Sequence, residues 1–163
     1  MKKLLAVLLL ATPAFAAAPK LSITDFKQLP VVLTQPYDEG ANAGAAVTAA
    51  FARAQKSHKR VLIDLGANWC VDCIVLANFL KLPEMQRFMA AHYEVVTVDV
   101  GRFNRNLQIP ARFGVTKKLE GVPALLIVTP DGKLTNAKDV FATASASEMT
   151  PKSVADYLAK YAG

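Results

Sequence analysis

The chain has 163 residues, a net charge of +6 from 19 Lys and Arg against 13 Asp and Glu, and 53% hydrophobic residues. The basic side chains are scattered, so the charge describes a solvated surface and does not mark a nucleic-acid binder. Cys70, Cys73, His58 and His92 are the whole cysteine and histidine inventory, which argues against a disulfide-stapled miniprotein and against a Cys/His zinc centre.

Lys2 and Lys3 precede an apolar run from Leu4 to Ala11, and Ala14-Phe15-Ala16 matches a small-residue cleavage site. A basic start, a short apolar core and such a site describe a secretory signal peptide over residues 1–16. The run is shorter than the roughly 20 residues that cross a bilayer, and no later segment is apolar enough to do so. Residues 17–42 read as an irregular lead-in, punctuated by Pro30, Pro36 and Gly40, with a short edge strand over 29–33. Residues 43–163 then suffice for one domain.

From Gly44 the pattern turns helical, with Ala46, Val47, Ala50, Phe51 and Ala54 on one face. Val61–Leu65 is a short apolar run, the mark of a strand covered on both faces. A helix is expected from the cysteines to Leu80. Pro83 breaks it and opens another to about Ala91, because proline suits a first helical turn. Glu94–Val100 reads as a strand and residues 104–114 as a weak helix interrupted at Pro110. Ala124–Val128 reads as another buried strand. Pro130-Asp131-Gly132 is a turn signal leading to a strand over 134–141. Thr150-Pro151 caps a last helix to about Tyr161. The order implies an α/β fold with a central mixed β-sheet flanked by α-helices.

The chemistry concentrates at Trp69-Cys70-Val71-Asp72-Cys73. A cysteine at a helix start meets free N–H groups and the positive end of the dipole, which favour its thiolate. A second cysteine one turn on is close enough to attack a mixed disulfide formed on the first. The pair passes two electrons with no further cofactor and no metal. The alternative is an inert local disulfide, although closing so short a loop contributes only about 2 kcal/mol. Asp64 is the other unusual residue, since an aspartate within an apolar strand is seldom buried without a partner. The alternative is a solvated strand end.

Asn68-Trp69-Cys70-Val71-Asp72-Cys73, Gly121-Val122-Pro123, the Pro-Asp-Gly turn and the closing helix together resemble the thioredoxin superfamily over residues 43–163. The break at Leu82-Pro83-Glu84 makes the chain most similar to the C-terminal periplasmic domain of DsbD and related exported proteins. The resemblance implies a thioredoxin-like fold, Cys70 as nucleophile and Cys73 as resolving cysteine. It further implies Asp64 as a buried acid/base for Cys73, Trp69 as the aromatic flank of the docking surface, and Pro123 as a cis-proline facing the cysteines. Val122 would offer backbone hydrogen bonds to an extended substrate. A core tryptophan at 69 and a plain loop at 122–123 are the plainer alternatives.

The chain departs from thioredoxin in placing Val71 and Asp72 between the cysteines, with no lysine after them. A carboxylate at Asp72 disfavours a neighbouring thiolate, the reverse of what a strong oxidant requires, so Val71 and Asp72 are expected to tune the pair toward reduction; the alternative is an Asp72 turned to solvent, which shrinks the effect. The expected protein is a periplasmic, monomeric disulfide reductase in cell redox homeostasis. Its partners would be protein disulfide substrates and a membrane electron donor. A reductase for cytochrome c maturation, a disulfide oxidant, and a non-catalytic, for example copper-handling, module are the rivals. Arg102, Arg105 and Arg112 form either a site for an acidic partner or a solvated face.

Overall fold

The computed structural model describes residues 16–30, 32–116 and 118–163. The expected leader therefore lies outside the described residues, Ala16 excepted. β1 (Arg60–Gly66) is the central strand, parallel to β2 (Tyr93–Asp99) and antiparallel to β3 (Ala124–Val128). A parallel neighbour demands a crossover. Here α2 (Val71–Phe79) and α3 (Pro83–His92) supply it. β1 is buried from Val61 to Gly66 and β3 throughout, which is why both read as unbroken apolar runs.

Alternation along β1 divides the core in two. Val61, Ile63 and Leu65 pack with Val47, Ala50 and Ala54 of α1 (Ala43–Ser57). Leu62, with Leu125 and Ile127 of β3, packs under Leu76 and Phe79 of α2, Met85 of α3, and Val154 and Leu158 of α5 (Pro151–Lys160). The mixed sheet is thus flanked by helices on both faces. The period places Asp64 on the Leu62 side.

Local chemistry fixes the helix ends. Asn42 caps α1 by accepting from the Ala45 N–H, Pro83 takes the first position of α3, and Thr150 caps α5 ahead of Pro151.

Three expected elements are corrected. The segment 29–33 contains no strand among its described residues. Instead Asn78 of α2 holds it, accepting from the Val32 and Leu33 N–H groups at 2.8 and 2.9 Å and donating to the Leu33 carbonyl at 2.8 Å. Pro30 has no N–H to give a ladder. The helix expected over 104–114 shrinks to one turn, α4 (Gln108–Ala111), because Phe103 and Asn106 both take positive φ.

The strand expected over 134–141 reduces to a single bridge between Val128 and Leu134. A side chain takes over there: Asn136 accepts from the Ile127 N–H at 2.9 Å and donates to the Leu125 carbonyl at 2.7 Å. Asn136 is 1% exposed. Asn136→Ala leaves that buried donor and acceptor unmatched, so a loss of about 3 kcal/mol is expected in urea unfolding.

The segment before α1 is part of this packing. Leu21, Ile23, Phe26 and Leu29 lie against the second core cluster, and Phe26 meets Phe79 edge to face at 5.4 Å.

Candidate active site

Cys70 ends the loop after β1 and is the N-cap of α2, its Sγ accepting from the Cys73 N–H at 3.2 Å. Its backbone is set by a bond from its own N–H to the Ala67 carbonyl, 3.1 Å. The Cys70 thiol also reaches the Val122 carbonyl at 3.3 Å, across 52 residues of sequence. Val122 leads into Pro123 through a cis peptide bond, and Thr143 Oγ1 donates to the Pro123 carbonyl at 3.3 Å. Cys70, Cys73, Val122 and Pro123 therefore meet at one end of the sheet. Both thiols are buried, Cys73 completely and Cys70 to 6% exposure.

The two cysteines are electrostatically unequal. Hydrogen bonding with Cys73, from its side chain first and also from its backbone N–H, holds the Cys70 thiol below its ordinary value, although partial burial and the Asp72 charge work against this. The same side-chain interaction, reinforced by burial, holds Cys73 well above its ordinary value. A thiol that ionises more readily thus sits beside one that holds its proton.

Asp64 supplies a group of the right kind. It is 1% exposed in the middle of β1, and burial pushes its carboxyl up to about 7, with the Tyr37 hydrogen bond acting in the opposite sense. A group poised near neutrality is suited to general acid–base work. Its charge also acts on Cys73, opposing formation of a thiolate while Asp64 is itself ionised.

Trp69 is 45% exposed and so is not a core residue. Its Nε1 donates to the Gly101 carbonyl at 2.8 Å, Phe103 meets it edge to face, and the Arg102 guanidinium lies 5.5 Å from its ring centroid. These contacts fix an aromatic rim beside Cys70. Val71 is 67% exposed on the same rim.

Asp72 Oδ1 accepts from Ser147 N–H and Oγ at 2.8 and 2.6 Å. Arg105 is committed to Asp99 at 3.0 Å, and Arg102 to Trp69, while Arg112 is exposed. The three arginines therefore do not share one described contact. His58 ends α1 in the left-handed conformation, and His92 rests on Phe88 with ring centroids 4.7 Å apart. Neither is brought to the cysteines by a described contact.

The sequence reading missed two residues. Ser147 carries no pattern that marks it. Tyr37 was legible in principle, being an aromatic side chain stranded among Pro36, Asp38, Glu39 and Gly40.

Comparisons with known proteins bear on the family. A family model described as thioredoxin-like matches residues 42–130. The chain is 34% identical over 91 residues to thiol:disulfide interchange protein DsbD 1 of Pseudomonas aeruginosa, a match covering 54% of this chain and 14% of that protein. It is 30% identical over 77 residues to thioredoxin of Alicyclobacillus acidocaldarius, covering 47% of this chain and 65% of that one. The chain thus spans less than two thirds of either relative. The crystal structure of disulphide isomerase from Xylella fastidiosa Temecula1 is 38% identical and superposes with a TM-score of 0.72, over 77% of this chain and 95% of that chain. The chain belongs to the thioredoxin-like family.

Proposed function

We propose that this protein is an exported, periplasmic enzyme that reduces protein disulfides through Cys70 and Cys73. The observation that carries the reading is the inequality of the two thiols around a buried carboxyl. Cys70, at the helix start, attacks a substrate disulfide, and the substrate lies along the Val122 backbone beside Trp69. Cys73, once Asp64 has taken its proton, attacks Cys70 and releases the reduced substrate. The oxidised pair is then recharged by a membrane electron donor, since the periplasm holds no thiol buffer of the cytosolic kind. The leader-like residues 1–16 support export, and no helix among the described residues is long and apolar enough to cross a membrane.

Asp72 works toward the reducing direction: its charge raises the energy of the Cys70 thiolate, against the larger Cys73 hydrogen bonding that holds the thiol down, and stabilising that thiolate is how a strong oxidant works. Equilibrating the pair with a dithiothreitol buffer tests this. A potential near about −270 mV is expected, and one near about −120 mV would make the protein a disulfide donor. Asp72→Asn is expected to move the potential toward the oxidising side, by about 30 mV for each unit that the Cys70 thiol falls.

Isomerisation is a second reading, favoured by the disulphide isomerase from Xylella fastidiosa. It uses the same reduced Cys70, and catalysed refolding of scrambled ribonuclease, with no net reductant consumed, would select it.

A further inference from the structure

Tyr37 lies outside every helix and strand and before the matched segment 42–130, yet it is only 2% exposed. Two features hold it there. Asn68, two residues before Cys70, binds its backbone reciprocally: the Tyr37 N–H donates to Asn68 Oδ1 at 3.0 Å, and Asn68 Nδ2 donates to the Tyr37 carbonyl at 2.8 Å. Gly66, at the end of β1, makes room for the ring, since a Cβ there would come within 2.3 Å of Tyr37 Cζ and Oη. The hydroxyl so placed donates to Asp64 Oδ1 at 2.9 Å.

We propose that Tyr37 is a positioning residue for resolution of the mixed disulfide: the segment preceding the family core delivers its hydroxyl to Asp64, where the hydrogen bond aims and stabilises the carboxylate that takes the Cys73 proton. This rests on the reading of Asp64 as that base. Burial, together with the charges of Asp64 and Cys73, holds the Tyr37 hydroxyl well above its ordinary value. It therefore stays a donor at every working pH and gives up no proton itself. Its bond favours the charged form of Asp64, against the burial that favours the neutral one.

The step balances without a further reactant. The Asp64 carboxylate accepts the proton of the Cys73 thiol. The Cys73 thiolate forms a bond to Cys70 Sγ, and the bond between Cys70 Sγ and the substrate sulfur breaks. That electron pair leaves with the substrate sulfur as a thiolate, which takes a proton from water. The cysteine pair is oxidised and the substrate disulfide reduced. Asp64 is among the residues lining a cavity of about 500 Å³, with Leu33, Pro36, Ala77 and Met89.

The test is the pH dependence of the second thiolate released when the reduced protein meets 5,5′-dithiobis(2-nitrobenzoate). The first release reports attack by Cys70, the second attack by Cys73. In the unaltered protein the second release should rise with an inflection near the Asp64 value of about 7. Tyr37→Phe keeps the ring against Gly66 and removes only the donor. Its inflection should move up by about one unit, slowing the second release about tenfold at pH 6 and little at pH 9. Superimposable profiles overturn the proposal. Should Tyr37→Phe not fold, the unaltered protein still decides: the Tyr37 Cζ carbon resonance should titrate in step with the Asp64 carboxyl, and its failure to do so overturns the proposal. Asp64→Asn separates the two ideas. If it keeps the inflection, Asp64 is not the base. If it loses the inflection while Tyr37→Phe keeps it, only the role of Tyr37 fails.

Discussion

Replacing Cys70 with serine is expected to abolish disulfide exchange, whereas replacing Cys73 with serine should leave a protein that attacks once and stalls. The asymmetry follows from position. Cys70 caps α2, where the Cys73 N–H and the helix start favour its thiolate, and it stands at the rim with Trp69 and Val71. Cys73 is wholly buried, and its interaction with Cys70 favours the protonated form. Cys70→Ser should lower the rate of substrate reduction by roughly three orders of magnitude or more, as loss of a nucleophile does. Cys73→Ser should accumulate a covalent adduct with substrate, visible on a non-reducing gel and released by dithiothreitol. Iodoacetamide near neutral pH should modify Cys70 ahead of Cys73. Trapping by Cys70→Ser instead would reverse the two roles, and trapping by neither variant would favour a non-catalytic module.

Those roles rest on a part of the molecule that was unusually legible. The cysteine spacing after an apolar strand is a local signal, and the cap and the first turn of α2 involve only neighbouring residues. The buried strands β1 and β3 were legible for a similar reason: covered on both faces, they need no alternation and show as plain apolar runs. What the sequence hid was every place where a side chain takes over a task of the backbone. Asn136 bonds to β3 as a strand would, and Asn78 pins 32–33 to a helix, so both segments looked like strands and are not. Positive φ at Asn106 likewise cut short the weak helix expected over 104–114.

The site was less legible than its cysteines. Val122 comes to Cys70 from 52 residues away and Tyr37 comes to Asp64 from 27 residues before it. The Val122–Pro123 loop entered the reading only through family resemblance. Tyr37 had no such help, because it precedes the segment that the family match covers. The segment before α1 thus closes one side of the core and brings a polar group to Asp64. Both depend on the Asn68 and Asn78 amides, which tie it to the redox loop and to α2.

Asp64→Asn should make the protein more stable at alkaline pH while slowing the release of substrate. The carboxyl of Asp64 is raised from an ordinary 3.8 to about 7 because it is buried. Between those values the folded chain holds a proton that the unfolded chain has lost, so stability falls as pH rises. The contribution is intact below pH 3.8 and gone once pH passes about 7. Its size is on the order of 4 kcal/mol at about 1.4 kcal/mol per unit. Asparagine can accept the Tyr37 hydrogen bond in the same place and carries no charge to bury. The variant should therefore match the parent near pH 4 and unfold roughly 10 °C higher at pH 8 in thermal scans. Its reduction of substrate should fall by about 10²-fold at neutral pH, the usual worth of a positioned base. On the proposed mechanism the two effects have one cause, the Asp64 charge held in the core. A variant that tracks the parent's melting temperature across the whole pH range would show that Asp64 does not carry that charge.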